Sequence, residues 1–130
     1  MGVCADTDFL IDLKDRDAKA IKKIEDCGSK GEIVSTTAIN VAEFYYGVYR
    51  ARDKETALAQ AHILLEPFDI LSLTFASAKL YGELAEKLRS KTIGQLDLLI
   101  ASIVLVNKHT LLTRNVKHFQ RVPELIVESW

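Results

Sequence analysis

Apolar positions along the chain fall into two alternating kinds of run. Short blocks, "GVCAD" (2–6), "EIVST" (32–36), "DILSL" (69–73), "TLLT" (110–113) and "LIVES" (125–129), have the length and aliphatic content of buried strands. Between them lie longer segments with helical spacing. "TDFLIDL" follows the first strand, with Thr7 or Asp8 as its expected cap. "DAKAIKKIEDC" (17–27) sets Ala18, Ala20, Ile21 and Ile24 at helical intervals and is expected to stop at Gly28. "AINVAEFYYGVYRA" (38–51), capped by Thr36 or Thr37, carries Ile39, Ala42, Phe44, Tyr46 and Val48 and reads as a largely buried helix. "DKETALAQAHILLE" (53–66) starts at an Asp53 cap and ends before Pro67, and "FASAKLYGELAEKLRS" (75–90) is amphipathic. "LDLLIASIVLVN" (96–107) is apolar on nearly every face and predicts a central buried helix. "VKHFQRV" (116–122) predicts a short turn or helical piece.

Strand–helix alternation without hairpin signals predicts an α/β fold, a doubly wound parallel sheet of four to five strands with helices on both faces. In such a fold ligands gather at the carboxyl ends of the strands. The chain has 130 residues, 48% hydrophobic and 27% charged, which suits a single domain over 1–130 with a real core. No apolar run reaches the roughly 18 residues of a membrane span, and no secretory leader is evident, so a cytoplasmic protein is expected. Cys4 and Cys27 read as reduced core thiols. Seventeen basic against eighteen acidic residues give a net charge of −1, which argues against nucleic acid held mainly by a large positive field.

Candidate chemistry lies in the acids. Asp6 closes the first strand within apolar surroundings, whereas Asp8 and Asp12 suit a helix start. Glu43 stands in "INVAEFYYGV", on a helix with no other charge before Arg50, and Asp97 opens the most apolar helix. Gathered at one edge these carboxylates would repel, by about 4 kcal/mol for a pair ~4 Å apart at an effective dielectric near 20. A divalent cation would neutralise such a cluster, and an all-oxygen ligand set favours Mg²⁺ or Mn²⁺. Zinc spacing is absent among His62, His109, His118 and the cysteines.

The ordered motifs "ADTDFLIDL", "STTAINVAEFYYGV" and "IGQLDLLIASIVLVNKHTLLTRNVKHFQRV" resemble the PIN domain, and in particular the VapC-type toxins of toxin–antitoxin pairs, over nearly the whole chain. The resemblance implies a Mg²⁺- or Mn²⁺-dependent endoribonuclease leaving a 5′-phosphate and a 3′-hydroxyl. It puts the catalytic and metal-binding acids at Asp6, Glu43 and Asp97, with Asp8 at a variable Asn/Asp position. His118 stands where many members carry a fourth acid, which favours a one-metal site. Thr7, Thr113 and Asn115 would support the site, and Arg114 and Lys117, joined by Lys14 and Arg16, would steer the RNA backbone. The resemblance further implies a cognate antitoxin, docked near Tyr45, Tyr46, Tyr49 and "AHILLEPF", and a homodimer. For Tyr46 the competing reading is the core or a dimer seam.

Other readings are an RNA-processing nuclease of the same fold without a toxin role, and a catalytically silent binding module. A phosphoacceptor receiver domain would need an aspartate ending the third strand and a lysine ending the fifth. The third strand here closes with "LSL" and the last with "VESW".

Overall fold

The computed structural model describes residues 2–130. The elements run β1 (Gly2–Ala5), α1 (Thr7–Lys14), α2 (Ala18–Ser29), β2 (Ile33–Thr37), α3 (Ala38–Tyr49), α4 (Lys54–Leu65), β3 (Asp69–Leu71), α5 (Phe75–Lys87), α6 (Gln95–Val106), β4 (Thr110–Leu112), α7 (Val116–Phe119) and β5 (Val127–Glu128). All strand pairs are parallel, in the order β3-β2-β1-β4-β5. The chain winds outward from β1 through β2 to β3, then crosses back to β4 on the other side of β1. The switch point therefore lies between β1 and β4, and their carboxyl ends flank a crevice.

Alternation along the central strands divides the interior in two. Val3, Ala5 and Leu112 face a core closed by Phe9, Leu10, Ala20, Phe44, Val48, Ala61 and Leu65 of α1 to α4. Cys4 and Leu111 face the opposite core, closed by Leu84 of α5, Leu98, Ile100, Ala101 and Val104 of α6, and Phe119 of α7. Each fully buried large side chain stabilises the fold by roughly 1.5–3 kcal/mol. Both expected features, a parallel sheet covered on two faces and a buried α6, are present.

Several local expectations are corrected. Asp6, not Thr7 or Asp8, caps α1, because its carboxylate accepts the Thr7 amide. Helix α2 passes through Gly28 to Ser29. Thr37 rather than Thr36 caps α3, since the Thr36 hydroxyl is spent on the Ala5 carbonyl. Helix α3 is not largely buried: Asn40, Phe44 and Val48 form one inward stripe, while Ala42 is exposed and Tyr46 is 69% exposed. Tyr46 is therefore no core residue. The outer strands β3 and β5 are shorter than their apolar runs. Both cysteines are buried and unpaired with each other. Among the described residues no helix is long and apolar enough to cross a membrane.

Candidate active site

Asp6 emerges directly from β1 at the switch point, where its amide still donates to the Leu112 carbonyl of β4 (2.9 Å). Its side chain is 8% exposed and accepts three hydrogen bonds besides. Oδ1 takes the Thr7 amide (2.9 Å) and the Asn40 amide group (2.9 Å), and Oδ2 takes the Thr113 hydroxyl (2.7 Å). Burial nevertheless pushes its carboxyl above the ordinary range, with the Asp97 charge adding to the rise against these donors.

Asn40 joins Asp6 to Glu43. Its Nδ2 also donates to Thr7 Oγ1 (3.0 Å), and that hydroxyl donates to Glu43 Oε1 (2.7 Å). The amide is oriented from behind: Asn40 Oδ1 accepts from the Thr37 hydroxyl (2.7 Å) and from the Thr37 backbone N–H (3.4 Å), the latter being one half of the capping box that starts α3. Glu43 lies one turn further along, partly buried, and its carboxyl is raised by burial and then by the charges of Asp6 and Asp97.

Asp97 sits in the first turn of α6, which starts at Gly94 with φ 94° and has no side-chain cap. Its Oδ2 lies 2.9 Å from His118 Nε2. With Asp97 ionised, Nε2 is the donor. The loop after β4 completes the edge. Thr113 Oγ1 has one proton, and the shorter bond to Asp6 takes it. Asp8 Oδ2 is then served by the Arg114 amide (2.9 Å). Asp8 Oδ1 is buried without a donor among the described residues, and burial raises this carboxyl too.

Asp6, Glu43 and Asp97 thus share one edge, and the charge of Asp97 reaches both Asp6 and Glu43. Glu43 is held through Oε1 and Asp97 through Oδ2, so a second oxygen of each is left for a ligand. Among the described residues no three His, Cys, Asp or Glu side chains stand close enough to form a finished metal site. The expected tight cluster is therefore looser than its charge pattern predicted. Repulsion of several kcal/mol at ~4 Å opposes closer approach, and each acid is held by its own donors.

The basic residues divide. Lys117 is exposed. Lys14 pairs with Asp15 (3.3 Å), while Arg114 pairs with Asp12 (2.8 Å) and lies over the Trp130 ring. Asn115 precedes α7 without a side-chain cap bond, and its amide donates to Thr113 Oγ1 (3.1 Å). Asn40 was not among the sequence candidates. Its signal is positional, since a polar residue at Thr-x-x-Asn spacing stands four residues before Phe44 and eight before Val48, on the buried stripe.

Known proteins share the family and the fold. The chain matches the PIN domain over residues 3–125. It is 36% identical to Ribonuclease VapC2 of Rickettsia felis over 104 residues, 78% of this chain and 78% of that protein. The fold is similar to that of VapBC2 from Rickettsia felis, solved bound to a DNA fragment from their promoter. That likeness has a TM-score of 0.92 and 31% identity, over 100% of this chain and 99% of that one. VapBC-1 from nontypeable Haemophilus influenzae is similar at a TM-score of 0.86 and 27% identity, over 100% and 98% of the two chains.

Proposed function

The chain belongs to the PIN-domain family, and from that premise we propose that it is a divalent-metal-dependent endoribonuclease serving as the toxin of a toxin–antitoxin pair. The observation that carries this reading is the bonded path from Asp6 through Asn40 and Thr7 to Glu43, with Asp97 near enough to shift both carboxyls.

Asp6, Glu43 and Asp97 are the residues that would hold Mg²⁺ or Mn²⁺. The fit rests on a hard, all-oxygen donor set and on the oxygens of Glu43 and Asp97 left unused by Thr7 and His118. A loose arrangement suits an ion that keeps several of its waters. When bound, the cation supplies charge compensation at the attacked phosphate and makes water a stronger nucleophile.

The remaining steps belong to side chains. Asn40 and Thr113 fix the Asp6 carboxylate, and Thr7 fixes Glu43, so neither needs to reorganise when a phosphodiester arrives. Glu43 spends one oxygen on Thr7 and offers the other to the cation, so the attacking water gives its proton to solvent water at the carboxylate edge. His118 orients Asp97 and brings no negative charge to the position where the PIN-domain resemblance implies a fourth acid, which favours a single cation. Lys117, exposed and without an ion pair among the described residues, is the cation we assign to the RNA backbone.

The antitoxin reading is supported by an apolar groove between α3 and α4. It is an open groove of about 300 Å³, lined by Val41, Tyr45, His62, Leu65, Phe68 and Ile70 with Glu66 at its edge. Tyr46 and Tyr49 are exposed on the same helix as Tyr45. The similarity to chains solved in VapBC complexes points to the same kind of partner here.

Cleavage of a mixed RNA pool with Mg²⁺, with Mn²⁺ and with chelator tests the proposal. We expect cleavage only with the cations, and a fall of at least about 100-fold in Asp6→Asn and in Asp97→Asn. Metal-independent cleavage, or full activity in both variants, would reject the site. Growth arrest on expression, relieved by the product of an adjacent small gene, is expected of a toxin; unimpeded growth with active enzyme would leave an RNA-processing nuclease.

A further inference from the structure

Residues 113–118, from the end of β4 into α7, touch the acidic edge at three points. Thr113 donates to Asp6 (2.7 Å), the Arg114 amide donates to Asp8 (2.9 Å), and His118 at the far end meets Asp97 (2.9 Å). One side chain of this segment is gripped by other elements. Arg114 Nη2 lies 2.8 Å from Asp12 Oδ2 of α1 and 3.7 Å from Asp17 Oδ2, the carboxylate that caps α2. Its guanidinium carbon stands 4.9 Å from the centre of the Trp130 ring. Trp130 donates Nε1–H to the same Asp12 oxygen (3.1 Å) and packs edge-on against the buried Phe9, with ring centres 4.9 Å apart.

A guanidinium uses its edge for carboxylates and its face for an aromatic ring, and here Nη2 meets Asp12 while one face lies over Trp130, with the rest of the side chain half exposed. Swinging Arg114 out to a phosphate would forfeit the stack and both ion pairs.

We infer that Arg114 is a positioning residue: Trp130 and Asp12 clasp its side chain, and the clasp holds residues 113–118 so that Thr113 and His118 keep Asp6 and Asp97 in register. This replaces the expected role of Arg114 as an RNA contact, and it rests on the nuclease reading above.

Three measurements on Arg114→Ala and Asp12→Asn test it. In an Asp6→Asn background, adding Arg114→Ala should leave single-stranded RNA affinity within about twofold and its salt slope unchanged. A phosphate contact would instead flatten the slope by about 0.7 and weaken binding, which would overturn the inference. In the active protein both variants should lower kcat by about tenfold with KM within about twofold, as displaced catalytic groups do. Full kcat in both would overturn it as well.

Trp130 is the sole tryptophan, so its emission reads the clasp without any cleavage. Both substitutions should shift the emission and raise acrylamide quenching, with Arg114→Lys intermediate; an unchanged signal would refute the clasp. Melting curves on the same samples separate a kcat loss from unfolding. Wild-type protein that cleaves no RNA would refute the nuclease reading, while the fluorescence arm would still judge the clasp.

Discussion

Asn40 shows how one neutral side chain can organise two charged ones. It is fully buried, donates to both Asp6 and Thr7, and receives the Thr37 hydroxyl that starts α3. Asn40→Ala would leave a buried carboxylate short of a donor and break the capping box, at a combined cost of about 2–4 kcal/mol measurable by urea unfolding. Asn40→Asp should cost more, because it places another carboxylate against Asp6. The titration of Asp6 has its own consequence. Its carboxyl is raised by burial, so between its ordinary value near ~4 and its folded value the native state binds more protons than the unfolded chain. Stability from this group therefore falls as pH rises through that window, and the penalty is complete above it. In metal-free buffer, Asp6→Asn should lose less stability than wild type between pH 4.5 and 7; an equal or steeper loss would contradict the assignment. Cys4 gives a simpler check, since burial pushes its thiol up to about 12. A thiol reagent at pH 8 should leave the native protein unlabelled at Cys4 and label it promptly in denaturant.

At the scale of elements, α6 depends on a residue that contributes no side chain. Gly94 caps it at φ 94°, a conformation that strains any residue with a Cβ, and Asp97 follows in the first turn. Gly94→Ala should cost about 1–2 kcal/mol and also lower cleavage, because re-forming the turn displaces Asp97; undiminished cleavage would show that the turn does not set the acid. The elements that were legible in the sequence share one physical cause. Parallel strands buried on both faces, and a helix buried all round, require continuous apolar runs, and "GVCA", "TLL" and "LLIASIVLV" supply them. Helix α3 misled for the opposite reason. Its aromatic content says nothing of direction, whereas the i, i+4 stripe of Asn40, Phe44 and Val48 does, and that stripe leaves Tyr46 outside. Asp6, Glu43 and Asp97 were readable as acids out of place in apolar surroundings. Asp12, Arg114 and Trp130 were not readable as a unit, because their contacts span more than a hundred residues with no local pattern.

Across the whole molecule, the three acids come from elements that pack on different cores. Glu43 rides on α3, whose Phe44 and Val48 enter the core on one side of the sheet, and Asp97 rides on α6, which fills the other. Asp6 stands between them at the end of the central strand. A cation shared by these carboxylates would tie the two layers together at the switch point, and would relieve the repulsion that adds to the burial-driven rise of Asp6 and Glu43. Binding to the native state alone adds RT ln(1 + [L]/Kd) to the unfolding free energy, about 2.7 kcal/mol at a hundredfold excess over Kd. Mn²⁺ or Mg²⁺ should therefore raise the melting temperature of the wild-type protein, and chelator should return it. Asp97→Asn removes the link to one layer and should abolish most of that rise, although the metal-free variant melts no lower than wild type. His118→Asp should enlarge the rise, since it adds a negative charge beside Asp97, while it removes the donor that orients that acid. If both variants gained as much from the cation as wild type, the ion would be bound elsewhere, and the acidic edge would have to work without it.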